Sequence, residues 1–126
     1  DSEMYSYSYD KKEDKLTAVS NYNLPSKVQG VAFDDNGSIY LSTSYGRNNS
    51  SYLKVYSSLL SLDKKPNEPK VKVEMPPCSE EVAIADGTVF VLFESASAKY
   101  FEGTDGMGKS PAPIDKLLEV SVASIW

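Results

Sequence analysis

The stretch KVQGVAFDDNGSIYLSTSYGRNNSSYLKVY, residues 27–56, decides the fold. It contains three short segments rich in β-branched and aromatic residues, separated by two polar turns. Asn36-Gly37 in the first turn is a hairpin signal, because Asn and Gly accept the positive φ that a tight hairpin needs. The stretch therefore predicts antiparallel β-strands joined by short turns.

Much of this stretch recurs later in the chain. QGVAF at 29–33 matches EEVAI at 80–84, and GSIYLSTSY at 37–45 matches GTVFVLFES at 87–95. The shift between the two copies is 50 or 51 residues. Strands that recur at this period are typical of a β-propeller, in which each blade is a four-stranded antiparallel sheet.

Alternation and turn residues divide the whole chain into about nine strands, grouped as two, four and three. No helix longer than about two turns is expected. The strands outside residues 27–56 are predicted at 4–9, 16–22, 71–75, 81–85, 88–94 and 117–125. The nine tyrosines could form a sugar-stacking face, but strand packing is the favoured interpretation of most of them. Tyr5, Tyr7 and Tyr9 are expected on one face of the first strand.

Composition limits the chemistry. A chain of 126 residues forms one domain at most, and its net charge of −5 disfavours nucleic acid as a partner. The chain has no histidine, which excludes Ser-His-Asp and Cys-His catalysis from its own residues. Cys78 is the only cysteine, so there is no internal disulfide. No segment has the ~20 apolar residues of a membrane span.

Three segments carry a resemblance to a known family: YLSTSYGRNNSSYL at 40–53, MPPCSEE at 75–81 and VFVLFESASAKY at 89–100. They resemble the closing, C-terminal part of bacterial secreted β-propeller proteins of uncharacterised function. Those proteins are distantly similar to the six-bladed NHL-repeat and gluconolactonase-like propellers. The resemblance extends over residues 25–126 and implies an extracellular or cell-surface location.

The expected fold is therefore all-β, a β-propeller segment of roughly two and a half four-stranded antiparallel blades. Residues 1–25 would be part of a blade, 26–75 a full blade and 76–126 the final blade. Because a propeller needs at least four blades, the remaining blades would come from a longer chain or from another copy. The related chains are longer on the N-terminal side, which favours the longer chain.

The two copies differ where the second has Glu80, Glu81 and Glu94 and the first has Gln29, Gly30 and Ser44. Polar side chains at strand entries tend to line the rim of a propeller channel. We therefore predict a polar binding site that contains the following residues: Gln29, Tyr45, Arg47, Glu80, Glu81 and Glu94.

The gluconolactonase-like resemblance implies a divalent metal held in the channel by carboxylate and Asn ligands. The candidate metal ligands here are Glu80, Glu81 and Glu94, and calcium is the preferred cation because the available ligands are oxygens. The favoured interpretation is structural: Glu81 pairs with Arg47 or Lys99 and caps backbone amides in the channel.

GTDGMGKS at 103–110 matches the phosphate-loop motif G-x-x-x-x-G-K-[ST]. The motif needs a helix directly after it, and Pro111-Ala112-Pro113 prevents one, so we do not expect nucleotide binding. The predicted function is a binding or interaction module with an unknown ligand. The alternative is a metal-dependent, lactonase-like hydrolase, in which channel carboxylates hold a cation that activates water.

Overall fold

The computed structural model describes residues 2–126, which form nine strands in three separate antiparallel sheets. The N-terminal hairpin is β1 (Ser2–Asp10) and β2 (Lys15–Leu24). The middle sheet is β3 (Val28–Phe33), β4 (Ile39–Thr43), β5 (Ser51–Tyr56) and β6 (Val71–Met75). The C-terminal sheet is β7 (Ser79–Ala85), β8 (Thr88–Phe93) and β9 (Leu118–Ser121).

The helical segments are short. They are α1 (Leu59–Lys64), α2 (Ala98–Phe101) and α3 (Val122–Ile125), with a 3₁₀ turn at Glu94–Ala96. The fold is thus all-β, and the predicted grouping of two, four and three strands is confirmed. Within residues 2–126 the middle sheet alone has four strands.

The predicted final strand at 117–125 is partly wrong, because β9 ends at Ser121 and α3 follows it. Val122 and Ile125 both pack against the main core. Residues three apart lie on the same side of a helix but on opposite faces of a strand, so a helical turn buries both. The turn also brings Trp126 back to the core, where its indole N–H donates to the Tyr40 hydroxyl at 2.9 Å.

The two central hairpins have matching registers. Val31 pairs with Leu41 and Ala32 with Tyr40 in the middle sheet. Their sequence counterparts in the C-terminal sheet pair in the same way, Val82 with Val91 and Ala83 with Phe90.

The entries to these hairpins also correspond. Lys27 and Cys78 both have positive φ, 64° and 71°. The amide of Ser44 donates to the Lys27 carbonyl at 3.1 Å, and the amide of Glu94 donates to the Cys78 carbonyl at 3.0 Å. Each entry is followed by an irregularity in the ladder, between Val28 and Gly30 in one sheet and between Ser79 and Val82 in the other.

The main core lies between the middle and C-terminal sheets. Its buried residues are Ala32, Tyr40, Leu53, Val55, Met75, Val82, Val89, Val91 and Phe93. The closest approach is at Gly30, where an added Cβ would lie 2.7 Å from the Glu80 carbonyl oxygen and 2.9 Å from the Glu81 Cα. Glycine is therefore needed here so that the backbones of β3 and β7 can approach.

The N-terminal hairpin is attached by a small area. Leu24 packs against a second cluster formed by Ile39, Leu41, Tyr56 and Leu62. Asp63 on α1 accepts hydrogen bonds from the Asn23 backbone amide at 2.8 Å and from its side-chain amide at 3.0 Å. An isolated two-stranded hairpin is only marginally stable in water, so this attachment holds it in place.

Strand packing is the wrong interpretation for four of the tyrosines. Tyr5, Tyr7, Tyr9 and Tyr45 are all more than half exposed, whereas Tyr40 and Tyr56 are buried as expected. The N-terminal hairpin lacks a sheet against which its tyrosines could pack within the described residues. None of the helices described in residues 2–126 has the length and apolar character to cross a membrane.

Candidate functional site

Arg47, on the loop between β4 and β5, ties that loop to residues 99–108. Its guanidinium forms an ion pair with Asp105 at 2.7 Å and donates to the carbonyl oxygens of Gly108 at 2.6 Å and Lys99 at 3.2 Å. The guanidinium also lies 4.5 Å from the ring centre of Tyr100. Hydrogen bonds from Arg47, and from the Met107 amide, hold the pKa of Asp105 below its usual range.

The predicted pairing of Glu81 with Arg47 or Lys99 is wrong. Arg47 is engaged by Asp105, and Glu81 accepts a hydrogen bond from the backbone amide of Val82 at 2.9 Å. The ammonium of Lys99 lies 4.8 Å from the Tyr100 ring centre. The reason is local, since the irregularity at the start of β7 turns the Glu81 carboxylate back onto its own strand, next to Gly30.

Residues 103–110, which match the phosphate-loop motif, have a structural role in the contact with Arg47. Asp105 and the Gly108 carbonyl both face the Arg47 guanidinium. Two loop amides are engaged within the loop, Gly106 with the Gly103 carbonyl and Met107 with the Asp105 carboxylate. No helix opens at Ser110. The loop therefore presents acceptor oxygens to a cation, which is opposite to what a phosphate requires.

Two of the three predicted carboxylates lie together. Burial raises the pKa of Glu80, and a hydrogen bond with Glu94 and the charges of Glu94 and Glu81 raise it further, while Lys99 opposes them. Glu94 is fixed by the Tyr100 hydroxyl, which donates to it at 2.7 Å. The two carboxyl groups can therefore share a proton or a cation.

The other predicted site residues are more dispersed. Gln29 is exposed beside Gly30, and Tyr45 is exposed on the loop after β4. Among residues 2–126, no three acidic or cysteine side chains are grouped closely enough to hold a metal ion. Glu80 with Glu94 is thus the pair of predicted ligands that the fold brings into contact.

A pocket that sequence reasoning missed lies beside Tyr45, at the ends of β3, β4 and β5. It has a volume of about 450 Å³. Its lining is polar: Ser26, Lys27, Thr43, Ser44, Tyr45, Asn48, Asn49, Ser50, Tyr52 and Lys54. We call it the lysine pocket. Tyr45 is the one residue of this pocket that was predicted as a site residue, because no sequence pattern indicates that residues 26–27 and 43–54 lie together.

Two sheet faces remain open in the part of the chain that the structure describes. On the middle sheet, Val31 is 37% and Phe33 49% exposed, although their counterparts Val82 and Ile84 pack into the main core. On the C-terminal sheet, Leu92 is 50% exposed. We call these the Val31 face and the Leu92 face.

Searches against family models, curated proteins and solved structures find no match to this chain.

Proposed function

We propose that this chain is an interaction module, a segment of a β-propeller whose open sheet faces bind further sheets of the same kind. One observation carries the proposal. The residues that join the middle sheet to the C-terminal sheet have counterparts on the two faces that are open.

The correspondence is residue by residue. In the joined interface, Val82 and Ile84 of one sheet pack towards Ala32 and Tyr40 of the other. The counterparts of Val82 and Ile84 are Val31 and Phe33 on the Val31 face. The counterparts of Ala32 and Tyr40 are Ala83 and Phe90, which lie on the Leu92 face. Each of these two sets of residues therefore occurs twice in the chain, once in the joined interface and once on an open face, as in an array of repeats.

The N-terminal hairpin supports the same arrangement. Its last residues, Leu24-Pro25, correspond to Met75-Pro76 at the end of β6, so β2 occupies the place of a fourth, outermost strand. In the middle sheet the third strand, β5, is paired on both edges, with β4 and with β6. In the hairpin the third-strand position belongs to β1, and its other edge is free within residues 2–126. Two further strands paired there would cover the Val31 face.

Sterics favour strands of a different sequence over a second identical copy. A copy docked in the joined geometry would put Glu81 at the position of Gly30, where even a Cβ would lie 2.7 Å from a carbonyl oxygen. Real Cβ atoms do not approach backbone so closely. We therefore favour remaining blades from a longer chain. The extracellular or cell-surface location stays a prediction of the resemblance.

The substitution Glu81→Gly tests this proposal by removing the steric block. It is made in a chain without residues 1–24, so that β9 of one molecule does not meet β1 of the next at the third-strand position, and the wild-type sequence shortened in the same way is the reference. We expect the wild type to be monomeric in sedimentation velocity, and Glu81→Gly to associate with increasing concentration as its Leu92 face docks on the Val31 face of the next molecule. Phe33→Asp added to Glu81→Gly should restore the monomer. Glu102→Gly, an equal charge change in an exposed turn, is the matched control.

Melting curves first establish that each variant folds, and the possible results can then be distinguished. If Glu81→Gly stays as monomeric as the wild type and the control, the two faces are not complementary and the proposal fails. Strong association of the wild type would contradict the steric argument and would indicate that the remaining blades come from another copy of this chain.

The contact between Glu80 and Glu94 favours a second candidate, the metal-dependent, lactonase-like hydrolase. Calcium takes six to eight oxygen ligands. Two carboxylates from this chain would supply part of that set, and the rest would come from water or substrate. The residues of this chain would hold the cation, and the cation would lower the pKa of a bound water.

A further inference from the structure

The lysine pocket differs in character from the matching place in the C-terminal sheet. The counterparts of Lys27 and Thr43 are Cys78 and Phe93, which are 1% and 2% exposed and fill that place with apolar atoms. In the middle sheet the same positions carry an ammonium and a hydroxyl. Packing explains Cys78 and Phe93. It does not explain why polar and cationic groups line an open pocket here.

The charge in the pocket is not neutralised by the described part of the chain. The two ion pairs among residues 2–126 join Arg47 to Asp105 and Lys65 to Glu68, so neither pocket lysine has a carboxylate within 4 Å. Glu74, opposite Tyr52 in the ladder, accepts a hydrogen bond from the Ser50 hydroxyl at 2.7 Å. Burial, and then the charge of its cross-strand neighbour Lys72, lower the pKa of Lys54.

An anion in the pocket would counteract this lowering of the Lys54 pKa, because an opposite charge favours the protonated ammonium. Lys27 and Lys54 thus bring two ammonium groups to one pocket in a chain whose net charge is −5. Two lysines are too few to bind a polyanion such as nucleic acid, because that requires an extended basic face. They suit one small ligand with one or two negative groups.

The remaining lining defines the rest of the ligand. Asn48 and the hydroxyl of Ser44 can donate to and accept from the hydroxyl groups of a ligand, and the Ser50 hydroxyl, which donates to Glu74, can accept. Tyr45 supplies an exposed ring, with the Lys27 ammonium 4.6 Å from its centre. A volume of about 450 Å³ lies within the range of small-molecule sites.

We propose that the lysine pocket binds a small, hydroxyl-rich molecule that carries an oxyanion, with Lys27 and Lys54 holding the anionic group. Carboxylate and phosphate both meet this description, and the experiment distinguishes them. Every lining residue belongs to this chain, so the proposal does not depend on the docking of further sheets.

Titration calorimetry tests the proposal with three probes: glucuronate, glucose 6-phosphate and glucose. We expect one of the anionic probes to bind, and neutral glucose to bind at least tenfold more weakly. The anion that binds more tightly identifies the source, carboxylate or phosphate. Lys27→Gln and Lys54→Gln should each weaken binding about tenfold, whereas Lys116→Gln, on an exposed residue outside the pocket, should leave it unchanged.

Circular dichroism establishes that each variant is folded before the titrations are compared. The proposal is overturned if neither anionic probe binds at millimolar concentration. It is equally overturned if glucose binds as tightly as the anions, or if binding survives both lysine substitutions.

Discussion

Gly30→Ala places a methyl group at the closest approach between the middle and C-terminal sheets. The new Cβ would lie 2.7 Å from the Glu80 carbonyl oxygen and 2.9 Å from the Glu81 Cα. Both are backbone atoms of β7, so neither can move away by a side-chain rotation. The sheets must separate locally, or β7 must bend.

The expected loss of stability follows from two opposing effects. The φ of Gly30 is not positive, and at such a position Gly→Ala usually stabilises by about 0.4–1 kcal/mol through the unfolded chain. Overpacking of a tight contact costs about 1–3 kcal/mol. Because the clash is with backbone, we take the upper part of that range, and the net expected loss is about 2 kcal/mol.

Urea unfolding measures this loss. Trp126 is the only tryptophan. It is 44% exposed, and its indole N–H donates to the hydroxyl of the buried Tyr40, so its fluorescence changes when the core around Tyr40 opens. With a urea dependence of about 1–3 kcal/mol per molar, the midpoint should fall by about 0.7–2 M. Gln29→Ala, on the exposed neighbour, is the matched control. A Gly30→Ala protein as stable as the wild type would refute the close contact between β3 and β7.

Asp105→Asn should loosen the loop at 103–110 and speed its limited proteolysis at neutral pH, because Arg47 loses its ion pair. The folded-state pKa of Asp105 is lowered, so its stabilising effect is complete above the unfolded value of about 3.9. The effect is lost as the pH falls through the folded-state pKa, so the melting temperatures of wild type and variant should begin to converge below about pH 4 and become equal below the folded-state pKa. A difference that persists at pH 2 would contradict the ion-pair account. Calcium titrated into the wild type should release heat, more at pH 7.5 than at pH 5.5, since the raised pKa of Glu80 favours its proton in acid. Glu80→Gln should abolish the signal and Glu13→Gln should keep it; the absence of heat from the wild type would contradict a calcium site at Glu80 and Glu94.

Local signals in the sequence were sufficient for the strands. Asp86-Gly87 turns one hairpin with positive φ at both residues, whereas in the other hairpin Gly37 alone has positive φ and Asn36 does not; Gly accepts this conformation without steric cost. Helix α3 was not predictable in this way. Val122 and Ile125 become helical because a core built by distant strands lies on one side of them. Local alternation contains no information about that core.

The candidate site was harder still. Arg47 and Asp105 are 58 residues apart, and both loops that carry them are irregular, so no periodic pattern relates them. Comparison of the two copies singled out Glu80 and Glu94, because both differ from their counterparts at matched positions, and Glu94 raises the pKa of Glu80; their role as ligands stays a prediction. The exposure of Tyr5, Tyr7 and Tyr9 could not be predicted, since their pattern is that of a strand with a buried face.

The attachment of the N-terminal hairpin through Leu24, Asn23 and Asp63 has a consequence for how the molecule fluctuates. With so little buried area at its base, the hairpin can detach while both larger sheets stay intact. Its amides would then exchange with solvent hydrogen through this partial opening, and those of β4 and β5 only through complete unfolding. The hairpin thus opens at a lower free energy than the middle sheet, and the element whose strand edge is free is also the one that opens more often.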